Sequence, residues 1–222
     1  MGFCVAIDGP AGAGKSTIAK KLAKELEFIY VDTGAMYRTI ALYLIRNNIS
    51  PEDEDKVKSA LENIDVKLDY IDGAQQVFLN GENVSGLIRT EEVGFVTSTA
   101  SKLAPVREKL LSLQRGMAIN ENVIMDGRDI GTCVVPDAPV KIYLTASVET
   151  RAKRRWLELS EKGMDVSLEE IEKDIAARDY QDMNRDIAPL RQAEDAILVD
   201  SSNMTIDEVV MTMKGLVDDK WK

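Results

Sequence analysis

Eight consecutive residues, Gly9-Pro10-Ala11-Gly12-Ala13-Gly14-Lys15-Ser16, have the spacing G-x4-G-K-S, and each residue type in it serves the capture of a phosphate chain. Glycines let successive backbone N–H groups turn inward around an anion, Lys15 is long enough to reach β- and γ-phosphates, and Ser16 offers a hydroxyl to magnesium. Thr17 carries the loop into the segment that follows. Three further clusters combine arginine with carboxylates: Asp32 to Arg38, Asp126 to Thr132, and Arg178 to Arg185 with Asp182 inside it. A guanidinium is a planar fork that matches phosphate oxygens in pairs, so these clusters read as anion ligands. A single arginine is more often a solvated surface cation. Arginines beside glycine-containing turns at the ends of apolar runs reverse that preference. A fourth basic group, Arg151, Lys153, Arg154, Arg155 and Lys162, lies on and just after one helical segment, and Arg151 and Arg155 are a turn apart and expected on one face. That face either pairs with Glu158 and Glu161 or closes over a transferring phosphoryl group to exclude water.

Composition narrows the chemistry. The 222-residue chain contains no histidine, so catalysis must use carboxylates, lysine, arginine or a metal. A net charge of -10 argues against broad attraction to nucleic acid or an anionic membrane, and leaves anion binding to local groups. Cys4 and Cys133 are too few for a disulfide framework, no signal segment opens the chain, and no apolar run approaches the roughly 18 residues of a membrane span. A cytoplasmic protein is expected, with Cys133 a buried small hydrophobe. The guanine-specificity pattern N-K-x-D is absent, and the chain is short for a motor ATPase. A small-molecule kinase is the favoured class, against a P-loop regulator or RNA-associated ATPase.

The elements that must position these residues alternate. Short apolar runs at Phe3–Ile7, Phe28–Val31, Val123–Met125, Val140–Leu144 and Ala196–Val199 read as buried strands. Helical periodicity marks Ser16–Leu26, Ala35–Arg46, Ser147–Leu159, Leu168–Arg185 and Ile206–Val217. Such alternation predicts an α/β fold, a parallel five-stranded sheet flanked by helices. Between Asp65 and Val84 the pattern changes: Val66-Lys67-Leu68, Val77-Phe78-Leu79 and the turn pair Asn80-Gly81 predict a small antiparallel insert. No linker or repeat divides the chain, so 1–222 is read as one domain.

Taken in order, Asp8 to Thr17, Asp32-Thr33-Gly34-Ala35-Met36-Tyr37-Arg38, Ile88-Arg89-Thr90-Glu91-Glu92-Val93, Asp126-Gly127-Arg128-Asp129-Ile130-Gly131-Thr132 and Pro136 to Lys141 resemble the bacterial cytidylate kinase family across nearly the whole chain. The resemblance implies a P-loop kinase core with an enlarged monophosphate-binding insert near residues 33–104 and a helical lid near 151–168. It implies transfer of the γ-phosphoryl group of ATP, with Mg2+, to CMP or dCMP by a monomer. Gly9 to Thr17 would bind ATP, with Ser16 on the metal. Arg38, Arg128 and Arg185 would hold the CMP phosphate; Ser98, Arg107 and Asp129 would read cytosine; Arg178 and Asp182 would lie near the ribose and Thr33 beside the site. Lys15, Arg128, Arg185, Arg151 and Arg155 would be catalytic. A competing role for Asp129 is to buttress Arg128 as its ion-pair partner. Another nucleoside monophosphate, or a small metabolite as in the shikimate kinases, is the alternative acceptor.

Overall fold

The computed structural model describes residues 2–71 and 73–221. They divide into two compact units, one made of the residues up to Tyr30 together with those from Ala118 onward, the other of Val31–Met117.

The first unit is built on the parallel five-stranded sheet: β1 (Cys4–Asp8), β2 (Ile29–Asp32, which crosses the unit boundary), and β6, β7 and β8 at Val123–Gly127, Val140–Thr145 and Ile197–Asp200. Their order is β2-β6-β1-β7-β8. The central strand β1 is buried along its whole length, as an unbroken apolar run in a parallel sheet must be. Its register aligns Asp8 with Gly127 on one side and with Tyr143 on the other. The chain therefore leaves β1, β6 and β7 at neighbouring points along one sheet end, where open α/β sheets bind ligands.

Helix α1 (Lys15–Leu26) follows β1, and α8 (Ile206–Asp218) closes the chain. Ile18, Leu22 and Ala23 of the first and Val209, Val210, Met213 and Val217 of the second share one core with Val5, Ile7, Ile124, Ile142 and Leu144. A second core joins α6 (Val148–Glu161) to α7 (Leu168–Asn184) through Ala152, Leu159, Ile171 and Ile175. Both helices start on a serine: Ser147 accepts from Thr150 N–H, and Ser167 from Glu170 N–H.

The second unit contains α2 (Thr33–Arg46), α3 (Glu54–Leu61), α4 (Glu91–Ala100) and most of α5 (Ala104–Asn120). It also holds a separate antiparallel sheet of β3 (Val66–Ile71), β4 (Ala74–Leu79) and β5 (Glu82–Asn83). The β4–β5 turn is Asn80-Gly81 with φ of 50° and 86°, the doubly left-handed turn that Asn-Gly favours. The β3–β4 connection includes Asp72, which lies outside the described residues. This unit extends beyond the expected insert of 33–104 because α5 belongs largely to it, with Val106 and Leu110 buried.

Candidate active site

In the first unit the loop Gly9–Ser16 leads from β1 into α1. Gly9 has no alternative, because a Cβ there would lie 1.9 Å from the Leu144 carbonyl oxygen. Gly14 caps α1 in the left-handed region with φ of 86° and provides no side-chain acceptor, so the first N–H groups of the helix face the loop's interior without a side-chain cap. Lys15 is buried, and its Nζ donates to the carbonyls of Gly9 and Pro10 at 2.7 and 2.8 Å. Desolvation, then the nearby Arg128 charge, hold its pKa well below the ordinary lysine value. An ammonium in that setting gains strongly from an incoming anion. Thr17 is exposed on the first turn of α1.

The strand end of β6 supplies a feature that the sequence reading left without a role. Asp126 is buried, its Oδ2 accepting from Ser16 Oγ at 2.8 Å and its Oδ1 from Tyr30 Oη at 2.9 Å. The signal was the apolar run Val123-Ile124-Met125 ending in an acid, a pattern that in P-loop proteins lies beside the loop hydroxyl.

Beyond Asp126 come Gly127, Arg128 and Asp129, then a π-helical turn, Ile130–Val134, closed by Val134 N–H to Asp129 O and Val135 N–H to Ile130 O. Arg128 Nε donates to Asp182 Oδ2 at 2.9 Å, and Arg185 Nη2 approaches Asp129 Oδ1 at 3.3 Å. The pairing is therefore crossed: Asp129 accepts from Arg185 and Arg128 has a carboxylate from α7, where the competing reading set Asp129 against Arg128. Neighbouring side chains on a turn leave in different directions, so adjacency in sequence did not decide the pair. Arg178 lies close enough to Arg128 for that charge, after desolvation, to lower its pKa. Its Nε is buried with no hydrogen-bond partner among the described residues. Among the described residues the cluster of Arg128, Arg178 and Arg185 around Asp182 and Asp129 keeps the Arg178 Nε donor unused, the state of a site shaped for an anion.

Arg151 and Arg155, one turn apart on α6, differ in their surroundings. Arg151 is 3% exposed and turned inward, whereas the Arg155 side chain is 41% exposed and pairs with Glu158. Glu158 also binds Lys162, which is the exposed-face pairing that the sequence left open. Arg154 donates to Ser201 Oγ and to the Ser201 carbonyl.

In the second unit Thr33 is buried at the start of α2, next to the capping residue Asp32, which accepts from Ala35 N–H at 2.9 Å and binds Arg89 at 2.7 Å. Arg38, one turn on, lies against Gly94 of α4 and reaches the Ile88 carbonyl at 3.4 Å. Ser98, half-buried on α4, accepts through its carbonyl from Ser101 Oγ, and the Ser101 carbonyl accepts from Arg107 Nη1 at 3.3 Å. Arg107 stacks 5.7 Å from the Tyr37 ring centroid. Thus α2, α4 and the start of α5 bring Thr33, Arg38, Ser98 and Arg107 into one neighbourhood of that unit. Cys133 differs from expectation: it is only partly buried, while Cys4 is buried.

The cytidylate kinase family model matches residues 5–219. The chain belongs to the cytidylate kinase family. Among curated relatives, the cytidylate kinase of Caldicellulosiruptor bescii is 52% identical over 212 residues, covering 96% of this chain and 94% of that protein. That of Lactobacillus johnsonii is 50% identical, covering 98% and 95%. An uncharacterised protein from Eubacterium ventriosum shares the fold at a TM-score of 0.54 and 12% identity, covering 97% of this chain and 98% of that one.

This member of the family buries a second carboxylate where sequence gave it no role. Asp8, 5% exposed, accepts from the N–H groups of Ile130 and Gly131, both at 2.7 Å, and so clamps the start of the π-helical turn. Burial pushes its pKa up to about 6, with the two N–H donors and Lys15 opposing and the Asp129 charge adding to the rise. A folded-state pKa raised above the unfolded value means that the folded chain binds the proton more tightly between those values. Asp8 therefore favours folding more at pH 5 than at pH 7. Measured against Asp8→Asn, which does not titrate, the wild type is expected to lose about 1 kcal/mol of relative stability from pH 5 to pH 7. Paired denaturation curves at the two pH values check this, and a constant difference would show that Asp8 titrates normally.

Proposed function

We propose that the protein transfers the γ-phosphoryl group of ATP to CMP or dCMP, giving ADP and the cytidine diphosphate. The observation that carries this reading is the arginine cluster beside the phosphate loop. Arg128 and Arg185 each hold a carboxylate partner, and Arg178 keeps a buried donor without one. Family membership at about half identity over the whole chain supplies the cytosine. Gly9 to Thr17 are assigned to ATP; Arg38, Arg128 and Arg185 to the acceptor phosphate; Ser98, Arg107 and Asp129 to the base; Arg178 and Asp182 to the ribose; and Thr33 to the CMP site.

The residues also suit Mg2+. Among the described residues no group of three or more acidic, cysteine or histidine side chains gathers to cage a metal. A hydroxyl at Ser16 and a carboxylate at Asp126, 2.8 Å apart, match an ion that keeps most of its waters and is shared with substrate phosphates. When bound, magnesium neutralises charge across the β- and γ-phosphates. The chain's own residues do the rest. Lys15 exchanges its loop carbonyls for phosphate oxygens, the acceptor arginines hold the incoming oxygen in line, and Arg155 is the exposed lid cation able to swing from Glu158 towards the phosphoryl group. Nucleoside monophosphates are mostly dianionic at neutral pH, so the attacking oxygen needs no base, in keeping with a chain without histidine. Two free cysteines and an acidic net charge support action in the cytoplasm.

Release of ADP from ATP and magnesium, measured with CMP, dCMP, UMP, AMP, GMP and shikimate, tests the reading. CMP and dCMP are expected to lead; a preference for AMP, GMP or shikimate would overturn it. Asp129→Asn tests the base assignment. Cytosine offers an N4 amino donor to a carboxylate where uracil offers an acceptor, whereas an amide can turn to serve either. The ratio of UMP to CMP kcat/KM is expected to rise about 10-fold, the scale of one base-edge contact. If Asp129 acts only by buttressing Arg185, both substrates lose equally and the ratio stays fixed.

A further inference from the structure

Asp179 stands on α7 between Arg178 and Asp182, yet it turns away from their cluster. Its carboxylate is buried, and among the described residues it has one hydrogen-bond partner: Oδ2 accepts from Arg151 Nη2 at 2.6 Å, while Oδ1 is buried without a partner. Arg151 spends its other donors on backbone. Nε binds the Ala146 carbonyl at 2.8 Å, just past β7, and Nη1 binds the Ala11 carbonyl at 2.9 Å, inside the phosphate loop. The stem of the same side chain covers Gly12, where an added Cβ would come within 3.3 Å of Arg151 Cβ.

A buried ion pair is an expensive way to fasten two helices, since desolvation offsets most of the attraction and an apolar pair packs as well. What this pair does that an apolar pair cannot is aim a three-sided donor at a carbonyl of the loop. Ala11 and Gly12 lie at the crest of the loop, where the direction of each peptide decides whether its N–H points at a phosphate or away from it. A carbonyl pulled outward by Arg151 turns the following N–H, that of Gly12, the opposite way.

We propose that Asp179 is a positioning residue for the ATP loop: from the helix that carries the acceptor-side arginines, it fixes Arg151, and Arg151 fixes the Ala11–Gly12 peptide. The proposal rests on the loop binding ATP, and it adds that α7 sets the geometry of the donor site as well as carrying acceptor groups. Neither Asp179 nor the fixed orientation of Arg151 follows from the phosphate-loop motif. Arg151 acts here through backbone it already holds, unlike the exposed Arg155.

The test is calorimetric titration of the full chain with MgATP, with no acceptor present, so that its result does not depend on which monophosphate is phosphorylated. Asp179→Asn keeps the shape but removes the charge, and is expected to weaken ATP binding by about 10-fold or more, the scale of losing a residue that orients ligand-binding groups without touching the ligand. CMP binding to the same variant, titrated separately, should change by less than about 3-fold, a factor worth under 1 kcal/mol. A merely structural role on α7 would instead damage the CMP side first, because Arg178, Asp182 and Arg185 are on or next to that helix. Arg151→Lys, which keeps the positive charge but loses the fork, should reproduce the ATP defect, and the double variant should be no worse than either single one. Unchanged ATP affinity in Asp179→Asn, or additive losses in the double variant, overturns the proposal. Failure of the wild type to phosphorylate CMP would overturn the acceptor assignment and leave this result standing.

Discussion

Lys15→Ala is expected to reduce turnover by about 10²-fold or more while leaving the fold intact, the loss seen when one preorganised donor to transition-state charge is removed. The Lys15 ammonium is held by two carbonyls of its own loop, Gly9 and Pro10. That position stores no large stabilisation. Burial depresses the pKa of the amine, and Asp126, Asp8 and Asp182 only partly oppose this. Removing a buried cation that is poorly compensated costs the folded state little, whereas the reacting phosphates lose the group that meets the charge spreading over the γ-phosphoryl oxygens. Single-turnover rates with saturating ATP and CMP, together with thermal denaturation, measure both halves. A turnover within about 10-fold of the wild type at unchanged stability would remove Lys15 from the catalytic set.

Arg185→Ala is expected to weaken CMP binding by about 10²-fold or more, the scale for truncating one partner of a buried charged pair, with ATP binding little affected. The Arg185 guanidinium is 4% exposed at the side chain, beside an Asp129 side chain that is 7% exposed. On the proposed assignment the variant loses a phosphate ligand, and it also removes the Arg185–Asp129 ion pair. Arg128→Ala should act similarly through Asp182, whose side chain is its partner at 2.9 Å. Because each arginine has its own carboxylate, the two losses in stability should come close to adding. Their effects on CMP affinity should not add, since one bound phosphate would couple them. Isothermal titration of the two single variants and the double variant separates these cases: additive losses in CMP affinity would show that the two arginines do not share a phosphate, and weakened ATP with unchanged CMP would exchange their assignments.

Much of this protein was legible in its sequence. The run Cys4 to Ile7 is apolar throughout because β1 is buried on both sides, and the helices after it carry apolar residues at a regular spacing because one face of each meets the sheet. The phosphate loop could be read residue by residue, since its function lies in local backbone conformation that glycine alone permits at Gly9. Asn80-Gly81 fixed its own turn for the same reason. Helices α4 and α5 were passed over although Thr90 caps the first, accepting from Val93 N–H, with Glu91 and Glu92 in its opening turn. The body of α4, Gly94-Phe95-Val96-Thr97-Ser98-Thr99, has poor helix propensity, and packing in the second unit outweighs it.

Pairing among charged side chains was the part that sequence could not decide. Arg128 and Asp129 are adjacent, yet each bonds to a residue more than fifty positions away, to Asp182 and from Arg185, because the turn after β6 sends consecutive side chains in different directions while α7 and the segment after it return across that turn. The burial of Arg151, the clamp of Asp8 on the π-helical turn and the hold of Asp126 on Ser16 have the same origin. Each joins groups separated by tens of residues: the Asp8 and Asp126 contacts form because β1 lies beside β6, and the Arg151 pair because α6 packs on α7. The sequence determined which groups were available for phosphate chemistry; the order of strands in the sheet decided which of them meet.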